Sequence, residues 1–111
     1  MIYYNYKSIA DVYENACGIM LKQFKERVDS DGELNFFAVD PTIRRKGVGT
    51  LLLDELEKRE KGKCIYLYTD TGCNYQFYES RGFIREETQD IEMIVDNQVQ
   101  KLTCFLYSKK L

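Results

Sequence analysis

Apolar positions along this chain fall into blocks of two different periods. Ile9, Val12, Tyr13, Ala16, Met20 and Phe24 recur at helical spacing to about Val28, with Gly18 as a candidate break. Ser8-Ile9-Ala10-Asp11, at the head of this block, resembles a capping box. Residues 2–6 carry strand propensity over a short span, and Asp29-Ser30-Asp31-Gly32 predicts a turn. Leu34 to Val39 is rich in aromatic and β-branched residues and predicts a buried strand over 33–39, broken by Asp40-Pro41-Thr42. After a loop at 40–46 the period becomes helical over 47–60. Val48, Leu52 and Leu56 form one stripe there, flanked by Leu51 and Leu53, and Gly62 is the stop. A strand at 63–69 follows, then a short helix around 74–80 ended by Gly82. Phe83 to Tyr107 reads as strands folding back at Asp96-Asn97.

This alternation of strand, helix, strand, helix and hairpin predicts an α/β fold with a mixed sheet. The strand–helix–strand at 33–69 should form a right-handed parallel crossover. The 111 residues contain no repeat, low-complexity tract or linker, so a single domain over 1–111 is expected. Hydrophobic content of 44% suffices for a core. The charge is nearly balanced, 16 basic against 18 acidic residues, so binding to nucleic acid is not expected. No apolar run is long enough for a membrane span, and residues 1–7 lack a basic segment ahead of an apolar one. Cys17, Cys64, Cys73 and Cys104 form no Cys-x-x-Cys pair and there is no His, so no metal site is expected. Reduced thiols and a cytoplasmic location are the resulting expectation.

The candidate chemistry begins at Arg44-Arg45-Lys46-Gly47-Val48-Gly49-Thr50, a basic, glycine-bearing turn that opens a helix directly after a strand. Free backbone N–H groups and the positive end of a helix dipole would converge there, which suits a phosphate. Arg44, Arg45 and Lys46 add charge, and the glycines let the backbone approach an anion. The segment lacks the Lys-Ser/Thr ending of a P-loop and the three-glycine spacing of a dinucleotide fingerprint. On the turn alone, glycines that merely tighten a helix start are an equal alternative.

Arg44, Gly47 and Gly49, as Arg-x-x-Gly-x-Gly, resemble the coenzyme A pyrophosphate loop of the GNAT N-acetyltransferases. Downstream, Phe77-Tyr78-Glu79-Ser80-Arg81-Gly82-Phe83 is similar to that superfamily's Phe-Tyr-Glu-x-x-Gly-Phe segment, in the same order and after the next strand. The resemblance runs from about Glu33 onward. It implies a GNAT-like mixed sheet with a central strand–helix–strand crossover and a C-terminal antiparallel hairpin. Members usually carry several strands before the central one. Here at most Tyr3–Tyr6 would precede the first helix, so the fold is expected to be N-terminally shortened. The exposed strand edge that results predicts a homodimer covering it, or a chain that represents the C-terminal part of a larger ancestral domain.

The resemblance implies acetyl transfer from acetyl-CoA to an amine, by direct attack in a ternary complex. It assigns Tyr78 as general acid for the departing thiolate; the alternative is a core aromatic like Phe77. It places Glu33 where some members hold a general base, against a turn residue on the solvent face; Glu57, Glu79 or loss of the proton to water are the other options. Backbone groups near Ala38 and Val39 would pair with the pantetheine arm and polarise the thioester carbonyl. Arg44, Arg45, Lys46, Gly47, Val48, Gly49 and Thr50 would hold the pyrophosphate. Asn74 resembles a residue that contacts the cofactor arm, or else caps the short helix. Cys73 lacks a His to activate it, so a covalent route is not expected. The rival reading is a non-catalytic coenzyme A-binding or partner-binding module, and a generic nucleotide-phosphate binder is a third. The acceptor amine, a small molecule or a peptide, is not indicated by the resemblance.

Overall fold

A computed structural model describes residues 2–34 and 48–111. A long helix, α1 (Ile2–Lys25), is followed by a short strand β1 (Gly32–Glu33), helix α2 (Val48–Arg59), strand β2 (Cys64–Asp70), helix α3 (Tyr75–Ser80) and the hairpin β3 (Ile84–Val95) and β4 (Gln98–Lys110). The four strands form one mixed sheet in the order β1-β2-β4-β3. β1 runs parallel to β2, with Glu33 opposite Tyr66, and both β2 and β3 pair antiparallel to β4. The parallel pairing is what a strand–helix–strand unit requires. The rest of the expected central strand, 35–39, and the loop at 40–46 lie outside the described residues.

Two expectations at the N-terminus are overturned. Residues 2–6 are helical, and Ser8 lies inside α1 rather than at its cap. Adding a residue to a nucleated helix gains one backbone hydrogen bond, which outweighs the context-dependent strand preference of isolated tyrosines. Gly18 does not break α1 either; it faces open space within the helix. α1 ends at Lys25 in a tight turn, where the Arg27 and Val28 N–H groups both donate to the Phe24 carbonyl (3.0 and 2.9 Å).

Each face of the sheet has its own core. Ala16, Met20 and Phe24, four residues apart on α1, seat against Tyr66, Ile91, Cys104 and Leu106. On the other face Leu53 of α2 meets Ile65, Leu67, Phe105 and Tyr107, with Tyr78 and Phe83. The strand alternation is therefore strict: Tyr66 faces α1, while Ile65 and Leu67 face α2 and α3. Each fully buried Met, Phe or Leu contributes on the order of 1.5–3 kcal/mol. The stripe of α2 is rotated from its expected phase. Leu53 is buried and Leu56 half-buried, whereas Leu51 and Leu52 are exposed. One turn of helix carries three consecutive leucines, so period alone leaves the phase open, and the sheet surface selects Leu53.

Turns follow the residues expected to make them. Asp96 and Asn97 both have positive φ (52° and 62°), the combination that a two-residue hairpin with right-handed twist requires. Gly62 (φ 90°) stops α2 and its N–H donates to the Leu111 carbonyl (2.7 Å).

Candidate active site

α2 and the short helix α3 both pack on one face of β2, where Leu53 and Tyr78 share a core with Ile65 and Leu67. Val48, Gly49 and Thr50 form the first turn of α2, where backbone N–H groups have no partner within the helix. No acidic residue occupies that turn, so nothing there neutralises the positive end of the dipole. Thr50 is half-buried. Arg44, Arg45, Lys46 and Gly47, and likewise Ala38 and Val39, lie outside the described residues.

The Phe-Tyr-Glu-x-x-Gly-Phe segment has a clear physical logic. α3 spans six residues and ends as the N–H groups of Arg81, Gly82 and Phe83 turn back onto the carbonyls of Phe77, Glu79 and Tyr78. Gly82 takes φ 88°, a left-handed conformation that costs other residues strain. That reversal brings Phe83 back against Tyr78, ring centroids 5.7 Å apart in an edge-on arrangement, with Phe77 at 5.4 Å on the other side. Tyr78 is thereby buried, at 8% exposure, beside Ile65 and Leu67 of β2. Its ring is packed among Phe77, Phe83, Ile65 and Leu67, which serves a positioned proton donor and a core aromatic alike.

Asn74 stands just before α3 and is exposed. Its carbonyl accepts the Phe77 N–H (3.3 Å), but its side chain makes no cap bond, so the capping role weighed for that side chain is not realised. Glu33 is exposed on β1. Its register with Tyr66 places it on the α1 face, opposite the face on which Tyr78 packs. The two residues named for acid and base therefore approach the site from opposite sides of the sheet. The Glu33 charge contributes, after burial, to raising the phenols of Tyr66 and Tyr68 above the usual range.

The other candidate bases are occupied. Glu57 accepts from Lys109 Nζ (2.7 Å) and lies 3.5 Å from Arg81. Glu79 accepts from Arg85 (2.9 Å) and from the Tyr107 hydroxyl (2.8 Å). The Arg85 guanidinium lies over the Phe105 ring at 4.1 Å. Both carboxylates are thus engaged by basic side chains of the protein itself. The exposed Cys73 has its thiol raised by burial and by the Asp70 charge, the opposite of nucleophile activation. Among the described residues no group of three or more His, Cys, Asp or Glu could hold a metal ion.

Sequence reasoning passed over one group. Asp70, the last residue of β2, is 9% exposed, and Tyr13 of α1 donates to it (2.7 Å). It is the only buried charged side chain among the described residues. The strand alternation continues through Tyr66, Tyr68 and Asp70, which would have flagged it had the strand been extended past residue 69.

The architecture is an α/β domain whose crossover helix opens on a turn without acidic residues and whose short helix carries a buried tyrosine. The acetyltransferase (GNAT) domain model matches residues 8–85, which run from α1 into β3 and include both motifs. The chain belongs to the GNAT superfamily. No curated protein and no solved structure matches it.

Proposed function

We propose that the protein is an N-acetyltransferase that moves the acetyl group of acetyl-CoA to an amine by direct attack in a ternary complex. The observation that carries the reading is the family match over residues 8–85, which contains both the Arg44–Thr50 turn and Tyr78. The pyrophosphate rests on Arg44, Arg45, Lys46 and the first turn of α2, with Asn74 near the cofactor arm. Ala38 and Val39 pair with pantetheine and polarise the thioester carbonyl. The amine attacks that carbonyl, the C–S bond breaks as the tetrahedral intermediate collapses, and Tyr78 gives its proton to the departing thiolate. A phenol (reference pKa about 10) is a weaker acid than a thiol (about 8.5), so donation accompanies bond breaking rather than preceding it. Glu33, exposed and on the opposite face, takes the ammonium proton through water.

β1 is an edge strand among the described residues, and a homodimer pairing across that edge belongs to the proposal. Four free thiols suit a reducing cytoplasm, and no helix of the described residues is long and apolar enough to cross a membrane.

Calorimetric titration with acetyl-CoA tests the reading. Micromolar binding near one site per chain, abolished in Arg44→Glu, supports it; thiol release on adding amines then reports turnover. Unchanged affinity in Arg44→Glu refutes the phosphate loop. Tight binding with no acetylation across a broad amine panel identifies a non-catalytic coenzyme A-binding module instead.

A further inference from the structure

α3 is too short to hold itself. Six residues give a costly nucleus and little propagation, so its place on the sheet is set by tertiary contacts. One set of these comes from the hairpin. Arg85 of β3 stands opposite Tyr107 of β4 in the ladder, and Phe105 is two residues from Tyr107 on the same face. Tyr75 and Glu79 of α3, one turn apart, meet this patch. The Tyr75 ring lies 5.1 Å from that of Phe105, and the Arg85 guanidinium covers Phe105 at 4.1 Å. Glu79 Oε2 accepts from Arg85 (2.9 Å) and from the Tyr107 hydroxyl (2.8 Å), while Arg85 Nε donates to the oxygen of that hydroxyl (3.3 Å). The three side chains close a ring of hydrogen bonds between helix and hairpin.

Glu79 stands in the last turn of α3, where the helix dipole disfavours a negative charge, so helix formation does not account for a carboxylate there. Tyr107 is wholly buried. Burial, as the largest cause, pushes its phenol above the ordinary value, so the hydroxyl stays protonated and donates to Glu79. The backbone of Glu79 serves the same end. Its carbonyl accepts the Gly82 N–H (3.1 Å), within the reversal that returns Phe83 to the Tyr78 ring. Side chain and carbonyl of one residue thus tie both the sheet and the turn to the position next to Tyr78.

We propose that Glu79, held by Tyr107 and Arg85, is the positioning residue that fixes α3 on the hairpin and, through it, sets the Tyr78 phenol for proton donation. The clamp between α3 and the hairpin stands on these contacts; its part in catalysis rests on the acetyltransferase reading. Glu79 touches no reacting atom and takes no proton in the reaction.

Tyr107→Phe removes only the hydroxyl, and Glu79→Ala removes the carboxylate; both are made in the full chain. Amide hydrogen exchange is followed at Arg81, Gly82 and Phe83, whose N–H groups close the turn after α3. It should quicken about tenfold in either variant. The double variant should exchange no faster than Glu79→Ala, because the two residues act as one unit. Thiol release from acetyl-CoA, with the best amine of the panel, supplies the second readout. Tyr107→Phe should lower kcat about tenfold while KM for acetyl-CoA stays within about twofold. In a Tyr78→Phe background the same substitution should lower kcat no further, since its effect passes through that phenol. Thr103→Val removes another β4 hydroxyl, one that donates to Asp90 (2.8 Å), and should move neither readout. Unchanged exchange in Tyr107→Phe, or additive effects in the double variant, overturns the clamp. Unchanged kcat, or equal losses in both backgrounds, overturns the positioning role. If Glu79→Ala fails to fold, Tyr107→Phe alone and in the Tyr78→Phe background decides the outcome. A parent chain without turnover on any amine refutes the acetyltransferase reading and with it the catalytic role, and the exchange data then judge the clamp by themselves.

Discussion

Replacing Gly82 with Ala isolates the backbone cost of the turn that seats Tyr78. A Cβ at this position meets nothing closer than the Lys109 Cε and Nζ at 3.7 Å, ordinary contact distance, so no steric clash contributes. What remains is conformational. Gly82 sits at φ 88°, where an L-residue carries a penalty of about 1–2 kcal/mol. Ala also restricts the unfolded chain, which offsets about 0.4–1 kcal/mol. The net loss should be about 1 kcal/mol, a fall in Tm of about 4–8 °C for a domain near this size. Gly18→Ala is the matched control. Gly18 lies within α1 with nothing within 4 Å of an added Cβ, so Ala there should gain about 0.5–1 kcal/mol. Urea melts of both variants, with unchanged slopes, read the two energies directly. Opposite signs are the expected result. A Gly82→Ala protein as stable as the parent would refute the claim that the left-handed turn at the end of α3 is under conformational constraint.

Tyr78→Phe should lower turnover at least tenfold while acetyl-CoA affinity stays within about twofold, since the ring's packing against Phe77 and Phe83 is retained; full activity would remove the proposed acid. Stability should fall at alkaline pH. Burial, as the largest cause, pushes the thiols of Cys17 and Cys104 from 9.0 up to about 11, so the folded state favours their neutral form. That contribution is complete below about pH 9 and is lost as pH rises towards about 11, where urea midpoints should decline; a rise over that window would contradict the assignment. Light scattering at micromolar concentration should give twice the chain mass, and a monomer would exclude pairing across the β1 edge.

Much of the fold was legible because local chemistry and tertiary structure agree. Asp96-Asn97 tolerates positive φ and sits between alternating segments, so the hairpin could be placed to the residue. Gly62 and Gly82 mark stops for the same reason. The N-terminal helix extends beyond its expected start because Tyr3 and Tyr4 favour strands only in a context this chain does not supply. The phase of α2 was illegible for a different reason. Leu51, Leu52 and Leu53 are alike in chemistry, and only the shape of the sheet beneath distinguishes them. At the site, Tyr78 was identifiable from its segment, whereas Asp70 was not. A single aspartate at a strand end reads as a turn residue, and its partner Tyr13 lies 57 positions away. Long-range pairings of this kind leave no local periodicity.

The strand order has a consequence for how the protein is made. β4 lies between β2 and β3, so the sheet has a gap until the last of the four strands arrives. β2 forms no ladder with β3, and among the described residues every ladder joining the crossover half to the hairpin half runs through residues 98–110. A nascent chain that has emerged only as far as Asn97 can assemble neither core, because Cys104 and Leu106 complete one while Phe105 and Tyr107 complete the other. Assembly is thus deferred until β4 has emerged, with the edges of β2 and β3 bare in the meantime. The same order makes the domain all-or-none towards proteolysis: clipping within β4 withdraws a wedge shared by both faces, and no stable fragment should survive it.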